Sequence, residues 1–205
     1  MFIANLGIYK KLSFNRSKRL AEKLIPLVEP DNAHILDFGA GNMYMAQVMA
    51  EQMPNINITA IDVIEDQNLN KDLLKNPRLN FQVCEVGKLP FDDGTFNITV
   101  ASAVMHHTPD PDFYLQELMR VLKVGGSILL IEEMYHNPID KIYIMAEDWV
   151  LNNLKEGVPV PLNFRSYKYY NQLFKQLGLK VAYEGYTRPG FPWKHHYVYK
   201  LTKTA

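Results

Sequence analysis

Cysteine is the scarcest residue in this chain: Cys84 stands alone among 205 residues. A single thiol excludes an internal disulfide framework and any metal centre built on several thiolates. It points to a reducing compartment, with the cytoplasm as the expected location. Net charge is the second absence. Twenty-two basic side chains balance twenty-two acidic ones, so the chain has no bulk attraction for nucleic acid or an anionic membrane. Long apolar runs are the third. No stretch approaches eighteen consecutive apolar residues, which argues against a transmembrane helix. The opening "MFIANLGIYKKLSFNRSKRL" lacks the apolar segment and small-residue cleavage site of a signal peptide. There is no internal repeat and no low-complexity tract. What is present is an ordinary globular composition, long enough for one domain with its own core.

Apolar runs and helical periodicities alternate through most of the chain. "HILDF" (34–38) reads as a short buried strand and "MYMAQVMAEQM" (43–53) as a helix. "NITAID" (57–62) is a second strand, and "NLNKDLLKN" (68–76) a helix stopped by Pro77. "LNFQVCE" (79–85) and "FNITVAS" (96–102) are the third and fourth strands. "DFYLQELMRVLK" (112–123) is an amphipathic helix closed by the glycines at 125–126, and "SILLIEE" (127–133) is the fifth strand. Strands separated by helices of this length predict a parallel, doubly wound α/β sheet. A helix over 15–30 leads into it. Beyond it lie a long helix over 137–157, a second over 166–178, and two strands, 179–187 and 195–203, close enough to pair as a hairpin.

The exit of the first strand is where such sheets bind ligands. There "ILDFGAGNMYMA" (35–46) places Gly39 and Gly41 so that the backbone turns sharply with no β-carbon in the way. Asp62 ends the second strand at the distance where nucleotide-binding folds put the acid that grips ribose hydroxyls. An adenosine-type ligand is the expectation; a tight turn with no ligand is the plainer alternative. A dinucleotide site would need a third glycine at position 44, which is tyrosine, so an oxidoreductase fingerprint is broken. Two acids at consecutive strand ends also suit a donor-rich nucleoside and repel a phosphate.

"ILDFGAG", "AID", "CEVGKLPFDDGTFNITVASAVMHH" and "YLQELMRVLKVGGSILLIEE" together resemble the successive motifs of class I S-adenosylmethionine (SAM)-dependent methyltransferases. The branch is the small-molecule group of methyltransferase type 11 that includes the ubiquinone and menaquinone biosynthesis enzymes. The resemblance covers roughly 33–134. It implies a Rossmann-like sheet of seven strands in the order 3-2-1-4-5-7-6, with an antiparallel C-terminal hairpin. It implies one domain over 1–205, with residues 1–32 as a helical lid and 135–178 as a helical insert on the substrate side. It implies SAM as cofactor, with Asp37 and the Gly39–Ala40–Gly41 backbone around its methionine part. Asp62 would take the ribose hydroxyls, Val63 would pack on adenine, Glu85 would accept from the adenine amino group, the Val86 N–H would meet the ring, and Ser102 would face the methionine end. Three positions depart from the family pattern. Met43 replaces a usual glycine, Val124 a usual proline, and Glu85 a more frequent aspartate.

Methyl transfer needs an acceptor aligned behind the methyl, and a base only where the acceptor must lose a proton. His106 and His107, in "VMHHTPDPD" after the fourth strand, are the candidate catalytic residues at the mouth of the site; loop packing is the alternative. A metal set of His106, His107, Glu133 and His136 lacks any recognised spacing, so no metal is expected. Tyr135, His136, Tyr143, Trp149, Asn152, Asn153, Phe164 and Arg165 are candidates for the substrate wall. Trp193 is a candidate for a further lid, as are Tyr9, Phe14 and Arg16 at the other end. The expected partner is a small molecule, acting as acceptor at oxygen, nitrogen or carbon, without nucleic acid or membrane. Rivals are a scaffold that keeps the fold without transfer, motivated by Met43, and a SAM-binding enzyme that does not methylate.

Overall fold

The computed structural model describes residues 2–152, 162–188 and 195–204. Its centre is a seven-stranded sheet. The strands are β1 (His34–Phe38), β2 (Asn57–Asp62), β3 (Leu79–Val83), β4 (Phe96–Ser102), β5 (Leu122–Glu133), β6 (Leu179–Tyr186) and β7 (His196–Lys203). Their order is β3-β2-β1-β4-β5-β7-β6, as expected. The first five run parallel, and β7 lies antiparallel between β5 and β6. The helices are α1 (Phe2–Leu24), α2 (Tyr44–Gln52), α3 (Pro111–Val121), α4 (Pro138–Asn152) and α5 (Tyr167–Gln176).

Alternation along β1 explains the layering. Ile35 joins one core cluster, with Ala21 and Leu24 of α1 and Val48 and Met49 of α2. Leu36 and Phe38 join the opposite cluster, with Leu115 and Leu118 of α3 and Tyr170 and Phe174 of α5. Each fully buried aliphatic side chain stabilises this three-layer arrangement by about 1.5–3 kcal/mol. A sheet covered on both faces leaves the strand ends as the open ground for a ligand. β1 and β4 are neighbours although β2 and β3 come between them in sequence. The strand order therefore reverses at β1, and the crevice beyond β1 and β4 is the switch point.

Three local expectations change. Residues 68–76 form only a short 3-10 turn, Lys71–Lys75, because asparagines stop it at both ends. The Asn70 side chain caps its start by accepting from the Asp72 N–H at 3.1 Å, and the chain turns extended at Asn76. The glycines at 125–126 do not stop α3. The helix ends at Val121 and the chain enters β5 directly. Gly126 is required inside that strand, since a β-carbon there would lie 2.7 Å from the Asn97 carbonyl oxygen. The N-terminal helix is longer than expected and starts at Phe2.

Candidate active site

Three alternate residues after β1 have left-handed backbone: Gly39 (φ 72°), Gly41 (φ 53°) and Met43 (φ 61°). Gly39 is also packed tightly. A β-carbon on it would lie 2.2 Å from Val104 Cγ2, so the turn after β1 and the turn after β4 meet at this point. The turn's N–H groups are already committed. Gly39 and Ala40 donate to the Ile61 carbonyl at 2.9 and 3.0 Å, and Gly41 donates to Asp62 Oδ2 at 2.8 Å. An anion-binding turn works by aiming such donors at a phosphate. This one spends them on β2, which separates it from a dinucleotide site by chemistry as well as by sequence.

Met43 departs from the helical backbone its place at the start of α2 suggests. It caps α2 in the left-handed region, at a cost of about 1–2 kcal/mol for a residue with a β-carbon. Its side chain is fully buried in the cluster shared by α1 and α2. It is a core residue. Burial of the thioether chain compensates the backbone that a glycine would adopt freely.

Two carboxylates face the turn. Asp37 is buried in the middle of β1, and its Oδ2 has no hydrogen-bond partner among the described residues. Burial, with Asp62 close by, pushes its carboxyl up to about 7. Asp62, at the end of β2, holds Gly41 with Oδ2 and accepts from the Val63 N–H with Oδ1 at 2.7 Å. A carboxylate has about four acceptor sites, so two remain for a ligand.

Beyond β3, Glu85 and Val86 are exposed, as is Val63 across from them. Their loop is clamped from below. Gly87 N–H donates to the Tyr114 hydroxyl at 2.8 Å and Leu89 N–H to Glu117 Oε2 at 2.8 Å. The Arg120 guanidinium ties Glu117, the Leu89 and Phe91 carbonyls and Asp93 together. Residues 85 and 86 are thus exposed on an anchored loop at the ends of β2 and β3.

Ser102 ends β4 half-buried, followed by Ala103 in the left-handed region at φ 51°. The two histidines come next, in a short 3-10 turn, Met105–His107. Only His107 lies near the surface, at 19% side-chain exposure; His106 is 1% exposed. His106 Nδ1 is hydrogen-bonded to Glu132 of β5, and its ring stacks on Phe164 at 4.3 Å. Burial opposes its charge. Glu132, Asp148 and Glu133 outweigh that and raise the imidazole to about 10. His106 therefore sits beneath the mouth of the site, with its ring committed to Glu132 on one side and facing Asp148 on the other. Both Nε2 atoms face Asp148 Oδ1 of α4, at 3.6 Å from His106 and 3.7 Å from His107.

Glu133 is buried alongside, with its carboxyl raised to about 7 by burial. It lies 3.1 Å from His196 Nδ1, whose imidazole burial lowers to about 4. Arg16 and Arg19 of α1, Glu133, Glu147, Arg188 and His196 share a cavity of about 190 Å³. The N-terminal helix thus reaches the ends of β4 and β5. It also meets the glycine turn, where Phe14 packs edge-on against Tyr44 and Asn42 donates to Ser13.

The remaining candidates divide. His136 donates or accepts with the Tyr197 hydroxyl at 2.6 Å and stacks on Tyr167, so it is engaged away from the histidine pair. Arg165 lies over the Tyr169 ring at the surface, and Tyr135 carries Lys141 over its own ring. Trp149 is exposed on α4, and the Tyr143 and His195 rings lie 6.1 Å apart. Asn153 and Trp193 lie outside the described residues, as do the side chains of Tyr9 and Asn152. Glu132 and Asp148 escape sequence reasoning. The usable signal is the stripe Asp140, Ile144, Asp148, which four-residue spacing puts on one face of α4.

Residues 36–130 match the family described as "Methyltransferase domain". That match spans a little under half of the chain. It is 25% identical over 186 residues to sarcosine/dimethylglycine N-methyltransferase of Halorhodospira halochloris, covering 83% of this chain and 61% of that protein. It is 28% identical over 107 residues to the ubiquinone/menaquinone biosynthesis C-methyltransferase UbiE of Desulfotalea psychrophila, covering 51% of this chain and 43% of that one. The chain thus spans under two thirds of the length of either relative. Among solved structures, 1,6-didemethyltoxoflavin-N1-methyltransferase of Burkholderia thailandensis, with its substrate and S-adenosylhomocysteine bound, superimposes with a TM-score of 0.71 at 17% identity. That match covers 100% of this chain and 86% of the other and shows the shared fold.

The cofactor of the methyltransferase domain is SAM, and the residues present fit it. A buried carboxyl oxygen on Asp37 has no hydrogen-bond partner among the described residues, Asp62 has acceptor sites to spare, and the Gly39, Ala40 and Gly41 N–H groups are turned to β2 and away from any phosphate. No helix among the described residues is long and apolar enough to cross a membrane.

Proposed function

We propose that the chain transfers a methyl group from SAM to a small-molecule acceptor bound beyond the ends of β4 and β5. The observation that carries this reading is the pairing of Asp37 and Asp62 around a turn whose Gly39, Ala40 and Gly41 N–H groups are spent on β2. Bound SAM supplies a methyl group on a positively charged sulfur. The chain's residues do the rest by position. Asp62 accepts from the ribose hydroxyls. Glu85 accepts from the adenine amino group, with Val63 and the Val86 N–H along the ring. Asp37 faces the cationic end of the methionine part, where Gly39, Ala40 and Gly41 allow close approach and Ser102 closes the far side.

The acceptor lies past Ser102, under α1 and α4, with α1 as the lid and residues 135–178 as the substrate-side wall. Alignment of the acceptor lowers the barrier without acid–base chemistry when the acceptor is already nucleophilic. Of the histidine pair, His107 is the one that faces it, and His106 holds that turn in place through Glu132. A cytoplasmic setting fits the single thiol, and the neutral charge favours a small acceptor over nucleic acid. The non-transferring scaffold draws its support from Met43. That side chain lies in the core, which removes the motivation.

The experiment is a screen with methyl-tritiated SAM against fractionated small-molecule extract. Label should pass into a low-mass product and none into protein or RNA. Label recovered only in macromolecules, or nowhere, overturns the reading.

A further inference from the structure

Four of the chain's six histidines, His106, His107, His195 and His196, gather where β4, β5 and β7 meet α4. The helix facing them is amphipathic in the reverse sense. Its inward stripe holds Asp140, Ile144 and Asp148, all buried, while Ile139 and Ile142 point outward at 79% and 69% exposure. Buried acids survive only when paired with cations or bound to a metal. Some of this need is met by ordinary pairs. His195 Nε2 lies 3.7 Å from Asp140, and His196 lies against Glu133 and Glu147. The pocket around Asp148 has a different form, because two imidazole nitrogens from consecutive residues converge on one carboxylate oxygen.

We propose that His106, His107 and Asp148 form a binding site for one divalent transition-metal ion, with Zn²⁺ the best match, and that Glu132 orients it from behind His106. One ligand atom from each of the three residues lies within 4.8 Å of the other two. Ligands on a tetrahedral Zn²⁺ at bond lengths of about 2.0–2.1 Å stand roughly 3.3 Å apart. Two of the three ligand-atom pairs, at 3.6 and 3.7 Å, are therefore a few tenths of an ångström from that spacing, and the third closes within 4.8 Å. Two imidazoles and one carboxylate are the donor set of borderline divalent ions, and the oxygen-rich cages that Ca²⁺ and Mg²⁺ prefer are not this set. Three protein ligands leave one position for water or an acceptor heteroatom.

The second shell argues most strongly. A metal-bound histidine characteristically gives its other ring N–H to a carboxylate. His106 Nδ1 is bonded to Glu132 Oε1. The other oxygen of Glu132 is fixed by the Met105 N–H at 3.2 Å. Phe164, stacked on the His106 ring, holds its plane. His106 is thus oriented with Nε2 pointing at Asp148, and His107 supplies the exposed edge through which an ion enters. Spacing could not reveal the site, because its third ligand comes from a helix some forty residues further on.

The test uses the full chain after chelator treatment and dialysis. Titration with Co²⁺ should give one equivalent of bound metal with visible d–d bands, displaced by Zn²⁺. His107→Ala and Asp148→Asn should each weaken binding at least tenfold, while His136→Ala should leave it unchanged. X-ray absorption on the Zn²⁺-loaded wild type needs no variant to fold, and should show imidazole nitrogen and carboxylate oxygen around the metal. Absence of binding at millimolar Co²⁺ overturns the proposal. So does affinity that neither variant moves, or a metal shell of water or sulfur. None of these measurements involves SAM, so their failure leaves the methyl-transfer reading intact.

Discussion

Val104 fills the space that a β-carbon on Gly39 would need, with its Cγ2 2.2 Å from that position. The contact locks the turn after β1 against the turn after β4, across the switch point of the sheet. Gly39→Ala must displace Val104 and also hold a left-handed backbone, which alone costs about 1–2 kcal/mol. The variant should melt lower than wild type and lose cofactor binding. Gly41→Ala meets nothing within 4 Å and should show the backbone cost only. A thermal melt of both variants, with the Gly39 change clearly the worse, checks this.

Met43 gives a prediction opposite to the family pattern. Met43→Gly restores the usual residue and relieves the left-handed strain of about 1–2 kcal/mol. It also empties a fully buried site, and truncating a buried methionine to alanine costs about 2–5 kcal/mol. Urea unfolding should show net destabilisation, with S-adenosylhomocysteine affinity little changed in the folded protein. A stabilised variant would remove Met43 from the core.

Asp37 sets a pH dependence. Its carboxyl, raised to about 7 in the fold by burial and by Asp62, returns to 3.8 when the chain unfolds. The folded state therefore holds its proton more tightly. The stability this confers is full below the unfolded value and is lost as pH rises towards 7. Asp37→Asn does not titrate, so it should gain stability relative to wild type by on the order of a few kcal/mol between pH 4 and 8. Ligand binding runs the other way. A cationic amino group favours the ionised carboxyl, so wild-type affinity for S-adenosylhomocysteine should rise from pH 5.5 to 8 and flatten in Asp37→Asn. Parallel pH profiles for the two proteins would contradict this role.

Glu85 is exposed on a clamped loop. Glu85→Ala should weaken cofactor binding by about 1–3 kcal/mol, the usual loss for a hydrogen bond to a charged group. An inosine analogue of the cofactor should bind wild type and variant alike, which isolates the adenine amino group as the partner.

The sheet was legible in the sequence because its signals are local. "HILDF" and "NITAID" each bury a short run, and the glycine turn and Asp62 sit at fixed places beside them. The strand order followed from the resemblance and holds. The histidine pocket was legible only in part. His106 and His107 announce themselves as a pair, but their depth depends on Glu132, Asp148 and Phe164, which arrive from three other elements. Met43 misled for a related reason. Its side-chain direction follows from a left-handed backbone, and the residue type suggests helix instead. The 125–126 glycines read as a helix stop because the sequence does not show the Asn97 carbonyl that presses on Gly126.

The most direct measurement is calorimetric titration of the wild type and Asp62→Ala with S-adenosylhomocysteine and, separately, NADH. Asp62 closes the Gly41 turn and keeps free acceptor sites, which the proposed reading assigns to the ribose. The wild type should bind S-adenosylhomocysteine at a single site, Asp62→Ala should bind it at least tenfold more weakly, about 1.4 kcal/mol or more, and neither should bind NADH. Preferential binding of NADH, or equal affinity of the two proteins for S-adenosylhomocysteine, would contradict the account.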